Sequence, residues 1–199
     1  MADSESFHFE GTEIAPGTGA EVSLELGDGP AGNPRNIPVY IIHGTKPGPV
    51  LALTAGIHGD ELNGVSVVHH LIHGDDHIAG TDDDRISRDE LAGTLICVPV
   101  VNIEGMLLEQ RGAPDNRDIN RLFPGKEQGN QSQRIAHALF QSVVKRADYL
   151  IDLHSAPHSR TNLPHVRANF ERKECMELAR AFGTPVSYTH LTLPTILLV

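Results

Sequence analysis

Short continuous apolar runs alternate along the chain with segments of helical period. Residues 50–55 (Val-Leu-Ala-Leu-Thr-Ala), 94–101 and 149–153 are runs of strand length, as expected of strands buried on both faces. Pro99 puts the second run at a sheet edge or a bulge. Residues 37–42 predict a further strand. Helical spacing follows in three places: Leu62, Val65, Val68, Leu71 and Ile72 over 62–72; Ile135, Ala136, Leu139, Phe140 and Val143 over 133–145; and residues 171–182. Residues 7–40 are rich in Gly and Pro, with alternation such as Glu21-Val22-Ser23-Leu24-Glu25-Leu26, and predict short strands and turns. Lys46-Pro47-Gly48-Pro49 predicts a turn, and 73–88, with Asp82-Asp83-Asp84, a polar surface loop. Residues 102–129 show no clear period and predict a long loop of the kind that often carries function. Strands alternating with helices predict an α/β fold, a mixed and mostly parallel sheet flanked by helices. Ligands gather at the strand carboxyl ends of such sheets.

A length of 199 residues suits one sizeable domain with a proper core. The formal net charge of -10 argues against nucleic acid or an anionic membrane as partner. The two cysteines, Cys97 in an apolar run and Cys175 in a helical segment, argue against a disulfide framework. The first residues lack the basic and apolar regions of a secretory signal, and no apolar run approaches membrane-spanning length, so the expected location is the cytoplasm.

Candidate chemistry sits where two apolar runs end. His58 and Glu61 follow 50–55 within Gly56-Ile57-His58-Gly59-Asp60-Glu61, and His154 follows 149–153. Two histidines and a glutamate are enough to hold a catalytic zinc and leave one position for water. Gly56 and Gly59 let the backbone bend sharply beside His58. Asp152 suits either a partner that orients a metal ligand or a cap on strand-end backbone groups. His43, His69, His70, His73 and His77 fall in loop or helix contexts and are expected in solvent, whereas His158 and His165 are candidates to line the pocket. In the long segment, Asn120 and Arg121 are candidates to grip a substrate carboxylate. Arg111 is a candidate to bind a second carboxylate or to polarise a scissile carbonyl. The alternative for that segment is a surface loop of Arg–Asp pairs.

Three ordered blocks carry a resemblance: Ala55-Gly56-Ile57-His58-Gly59-Asp60-Glu61; Arg117-Asp118-Ile119-Asn120-Arg121 with Phe123-Pro124-Gly125; and Asp152-Leu153-His154-Ser155. In order and approximate spacing they resemble the succinylglutamate desuccinylase/aspartoacylase family, relatives of the zinc carboxypeptidases, over residues 35–185. The resemblance implies a zinc carboxypeptidase-like fold with one zinc per chain on His58, Glu61 and His154. It implies that Asn120 and Arg121 bind the substrate carboxylate and that Arg111 is a catalytic contact, although Gly112 stands where the family often has an aromatic residue. The implied function is a zinc-dependent amidohydrolase, a deacylase acting on an N-acyl amino acid or similar small amide. The rivals are a metallocarboxypeptidase and a metal-binding protein without turnover.

Family members are longer, with a β-rich C-terminal region, and their general-base Glu falls beyond the expected end of the native sequence. Glu171, Glu174 and Glu177 are assigned no such role. Val186-Ser187-Tyr188-Thr189-His190-Leu191-Thr192-Leu193-Pro194-Thr195 resembles the translation of a transposon-based sequencing adapter. The expected organisation is a β-rich segment over 1–36, a partial zinc-hydrolase α/β domain over 37–185 and a non-native tail over 186–199. On that reading the fold is incomplete at the C-terminus, and the chain is an inactive, poorly soluble fragment.

Overall fold

The computed structural model describes residues 5–29, 32–74, 85–156, 160–184, 186–189 and 196–198. A hairpin of β1 (Phe7–Phe9) and β2 (Thr12–Ile14) leads into β3 (Thr18–Asp28), β4 (Pro34–His43) and β5 (Lys46–Ala55). Then come α1 (Leu62–His73), β6 (Ala92–Val98), α2 (Ile103–Leu107), a 3-10 turn at Ile119–Arg121 and α3 (Gln131–Ser142). A second 3-10 turn (Val144–Arg146), β7 (Tyr149–Leu153), β8 (His165–Ala168), α4 (Lys173–Phe182), β9 (Val186–Thr189) and β10 (Ile196–Leu198) complete the order.

Among the described residues, eight strands form one mixed sheet in the order β3-β4-β6-β5-β7-β10-β8-β9. The pairs β5–β6, β5–β7, β7–β10 and β8–β9 are parallel, and β3–β4, β4–β6 and β8–β10 are antiparallel. Side-chain alternation divides the core between the two faces. Ala52, Ile96 and Val98 pack with Ile135, Ala136 and Leu139 of α3. Leu53, Ala55 and Cys97 pack with Val68 and Ile72 of α1 and Cys175 and Ala179 of α4. This is the α/β architecture expected from the nearly continuous apolar runs. The start of α3 is fixed by a capping box: the Gln133 backbone N–H donates to Asn130 Oδ1 at 3.0 Å, and the Asn130 N–H donates to Gln133 Oε1 at 3.1 Å.

Three expectations from the sequence need correction. Residues 46–49 are part of β5 rather than a turn; the register shifts between Lys46 and Val50, so the ladder passes over two prolines that have no N–H to give. The strand carrying 94–98 is internal, between β4 and β5, because Pro99 falls just after its last residue and costs no ladder bond. Residues 102–129 are not all loop, since they hold α2 and a 3-10 turn, both too short for a period to register. Of the predicted acidic loop, 75–84 lie outside the described residues. No helix among the described residues is long and apolar enough to cross a membrane.

Cys97 is fully buried in β6, and burial pushes its thiol up to about 12. The thiolate is the reactive form. At pH 8 the folded protein should therefore leave Cys97 unmodified by iodoacetamide, while the unfolded chain takes up the label. Equal labelling of Cys97 in both states, read by peptide mass spectrometry, would contradict this burial.

Candidate metal centre

Parallel pairing of β5 with β7, with Ala55 opposite Leu153, brings two strand ends to one level. His154 directly follows β7. His58 and Glu61 lie in the turn between β5 and α1, closed by the Glu61 N–H donating to the His58 carbonyl at 3.2 Å. Gly56 takes φ +62° at the bend, a conformation that favours glycine. At Gly59 a Cβ would lie 2.0 Å from the Gly105 carbonyl carbon, so only glycine lets this turn pack against α2.

Glu61 stands at the N-cap of α1, yet its side chain makes no cap bond. Its carboxylate is committed elsewhere: Oε1 lies 2.9 Å from His58 Nδ1, and Oε2 lies 2.8 Å from His154 Nδ1. Arg111 Nη1 donates to Oε1 at 2.7 Å, and the Ser155 backbone N–H donates to Oε2 at 3.2 Å. The outer nitrogens of both rings also meet carboxylates. His58 Nε2 is 3.0 Å from Asp118 Oδ1, and His154 Nε2 is 2.8 Å from Asp152 Oδ2. Thr54 Oγ1 donates to Asp152 Oδ1 at 2.7 Å, fixing that carboxylate in turn. The His58, Glu61 and His154 side chains are only 2%, 4% and 5% exposed.

Burial works against a charge on Glu61, but the hydrogen bonds and positive charge of His154 and His58 outweigh it and hold the carboxyl well below the usual range. Burial would lower His154, yet the charges and hydrogen bonds of Asp152 and Glu61 raise it to about 9. Asp118, despite burial, is held low by His58 and Arg111.

These residues fit a zinc ion. One ligand atom from each of His58, Glu61 and His154 lies within 4.8 Å of the others. Two imidazoles and a carboxylate are the donor set of a catalytic zinc site. With each Nε2 held by a carboxylate, both Nδ1 atoms face the shared centre, the arrangement that orients metal-bound histidines. The positive charge now drawn to the Glu61–His154 pair is what a divalent cation would supply in exchange for protons.

Of the other residues singled out in the sequence, Arg111 joins the cluster directly. Asp152 orients His154. Arg121 lies on the 3-10 turn at Ile119–Arg121, with its side chain 85% exposed and Nε 3.4 Å from Asp118 Oδ2. Asn120 lines a small cavity of about 60 Å³ with Thr54, Ile57 and Asp152. His43 is buried rather than solvated, because it ends β4 with Nδ1 2.8 Å from Thr94 Oγ1 and Nε2 2.8 Å from the Glu5 carbonyl. His165 belongs to β8, with Nδ1 2.9 Å from the Leu163 carbonyl, apart from the cluster. His77 and His158 lie outside the described residues. Asp118 and Thr54 were not foreseen in these roles; the only sequence signal for Asp118 was its place in the 117–121 block.

Residues 47–194 match the profile of the succinylglutamate desuccinylase/aspartoacylase catalytic domain. The chain belongs to this family. A relative in Halomonas elongata, an N-alpha-acetyl-L-2,4-diaminobutyric acid deacetylase, is 30% identical over 155 residues, covering 75% of this chain and 42% of its own length. This member of the succinylglutamate desuccinylase/aspartoacylase family thus spans less than half of that curated relative. The crystal structure of a succinylglutamate desuccinylase/aspartoacylase from Rhodobacter sphaeroides superposes with a TM-score of 0.77 at 26% identity, covering 90% of this chain and 57% of that one. A metallo-carboxypeptidase from Burkholderia cenocepacia shares the fold, with a TM-score of 0.64 at 15% identity over 90% of this chain and 55% of its own.

Asp118→Asn keeps the oxygen that accepts the Asn120 N–H and removes the charge behind His58. Zinc affinity, measured by competition with a chromophoric chelator, should fall about tenfold or more. Unchanged affinity would show that Asp118 does not support this centre.

Proposed function

We propose that this chain carries the catalytic domain of a cytoplasmic zinc-dependent deacylase. It would cleave the amide of an N-acyl amino acid or similar small amide and use one zinc per chain. The observation that carries the reading is the convergence of His58, Glu61 and His154 within 4.8 Å, with a carboxylate behind each histidine. Family membership supports the reaction class. The name of the Halomonas elongata relative supports the substrate class, an acyl group on the nitrogen of an amino acid.

His58, Glu61 and His154 would hold the metal. Zinc bound there would lower the pKa of a water to about 7 and polarise the scissile carbonyl. Arg111 borders the donor set through Glu61 Oε1 and is 46% exposed, so a substrate can reach it. Its guanidinium would stabilise negative charge as it develops on the carbonyl oxygen. Arg121 is 85% exposed on the neighbouring turn and presents the fork that matches a carboxylate; Asn120 beside it would complete the grip. The two aspartates and Thr54 keep the histidine rings aimed at one point.

Amine release from a panel of N-acetyl amino acids, with and without a chelator, tests the reaction. Any release should stop on chelation and return with zinc. Release indifferent to the chelator would overturn the zinc-dependent deacylase reading, whereas a zinc-loaded chain that binds N-acetyl amino acids without releasing amine is the inactive fragment that the missing general base implies. Binding to the zinc-loaded chain tests the substrate grip. Arg121→Ala should weaken N-acetyl amino acid binding about tenfold or more, the cost of one charge-assisted contact. It should leave an N-acetyl amine without a carboxylate unaffected. Equal weakening of both would remove Arg121 from carboxylate recognition.

A further inference from the structure

A second cavity lies on the α3 face of the sheet, lined by none of the metal-centre residues. It measures about 210 Å³ and is partly open to solvent. That volume holds more than one or two waters, yet falls below the range of drug-sized sites. Leu26, Ile37, Val101, Ile103 and Ile135 supply an apolar lining. Two guanidinium groups, from Arg35 and Arg134, and one carboxylate, from Glu104, border the same space.

The carboxylate is already committed. Arg35 Nη2 lies 2.6 Å from Glu104 Oε1, and Gln131 Nε2 donates to Glu104 Oε2. Arg134 is left over: its Nε is cut off from solvent without a partner, and its guanidinium has no ion pair among the described residues. Asn102 is left over as well. Its side chain is 1% exposed in the cavity wall, its Oδ1 accepts the Gly105 N–H at 3.0 Å, and its Nδ2 has no acceptor. Buried donors without partners are costly, and a half-buried cation without a counter-ion more so. Arg134 is only half buried, so the rest of its guanidinium borders the cavity, and an anion there would supply the counter-ion that the described residues do not.

We infer that this cavity binds a short-chain aliphatic carboxylate, with the carboxylate on Arg134 and the alkyl part against the apolar lining. The charge of Arg134 demands an anion, and the lining favours a hydrocarbon body over a hydrated oxyanion such as phosphate. The cavity shares a wall with the metal-bearing turn, since the Asn102 backbone N–H donates to the Gly56 carbonyl at 2.9 Å.

Calorimetric titration of the metal-free chain with butyrate tests the inference, and chelation keeps the carboxylate from reporting on the metal centre. Saturable binding at one site is expected, about tenfold or more weaker for the neutral isostere butyramide and for Arg134→Gln. It should be unchanged in His58→Ala. Arg134 makes no side-chain bond among the described residues, so Arg134→Gln should keep the wild-type circular dichroism. The butyramide comparison needs no variant at all. Absence of saturable butyrate binding, equal affinity for butyramide, or loss of binding in His58→Ala would overturn the inference. So would phosphate binding as tight as butyrate, which would mark a plain oxyanion site.

Discussion

The site depends on one buried carboxylate held between two imidazoles. Glu61 is almost wholly out of water, where an unpaired charge is not tolerated. Its two oxygens divide four contacts, from His58, Arg111, His154 and the Ser155 backbone. Removing either histidine would take one of these four contacts from a carboxylate that has almost no water to replace it. The same economy extends outward, because Asp152 is also buried and is held by Thr54 on one side and His154 on the other.

The fold supplies this arrangement through parallel pairing. β5 and β7 run side by side and end together, so residues beyond their last ladder pairs share one crevice. Around that crevice the backbone has little latitude. The bend at Gly56 needs a positive φ, and the turn at Gly59 abuts α2 so closely that a side chain has no room. α2 is in turn anchored by Asn102, whose backbone continues the contact between strand ends by donating to Gly56. The turn that carries His58 and Glu61 is therefore joined through Asn102 to the wall of the second cavity.

Much of this was legible in the sequence wherever the signal was local. Continuous apolar runs revealed β5 and β7, and helical spacing revealed α1, α3 and α4 to within a few residues. His58, Glu61 and His154 stood out because they follow such runs. What escaped was long-range or short. Asp118 meets His58 across 60 residues and Thr54 meets Asp152 across 98, distances over which no periodicity carries information. The internal place of β6 depends on partners contributed by β4 and β5, and Pro99 alone suggested an edge. His43 reads as a loop residue until β3 and β6 are seen to enclose it from either side of β4.

The most direct test of this account is elemental analysis of bound metal on the purified chain and on His58→Ala. About one zinc per chain, lost in the variant while the fold is retained, is the result the converging donors require. A folded chain that binds no zinc, or a variant that binds as much as the parent, would contradict a metal centre at His58, Glu61 and His154.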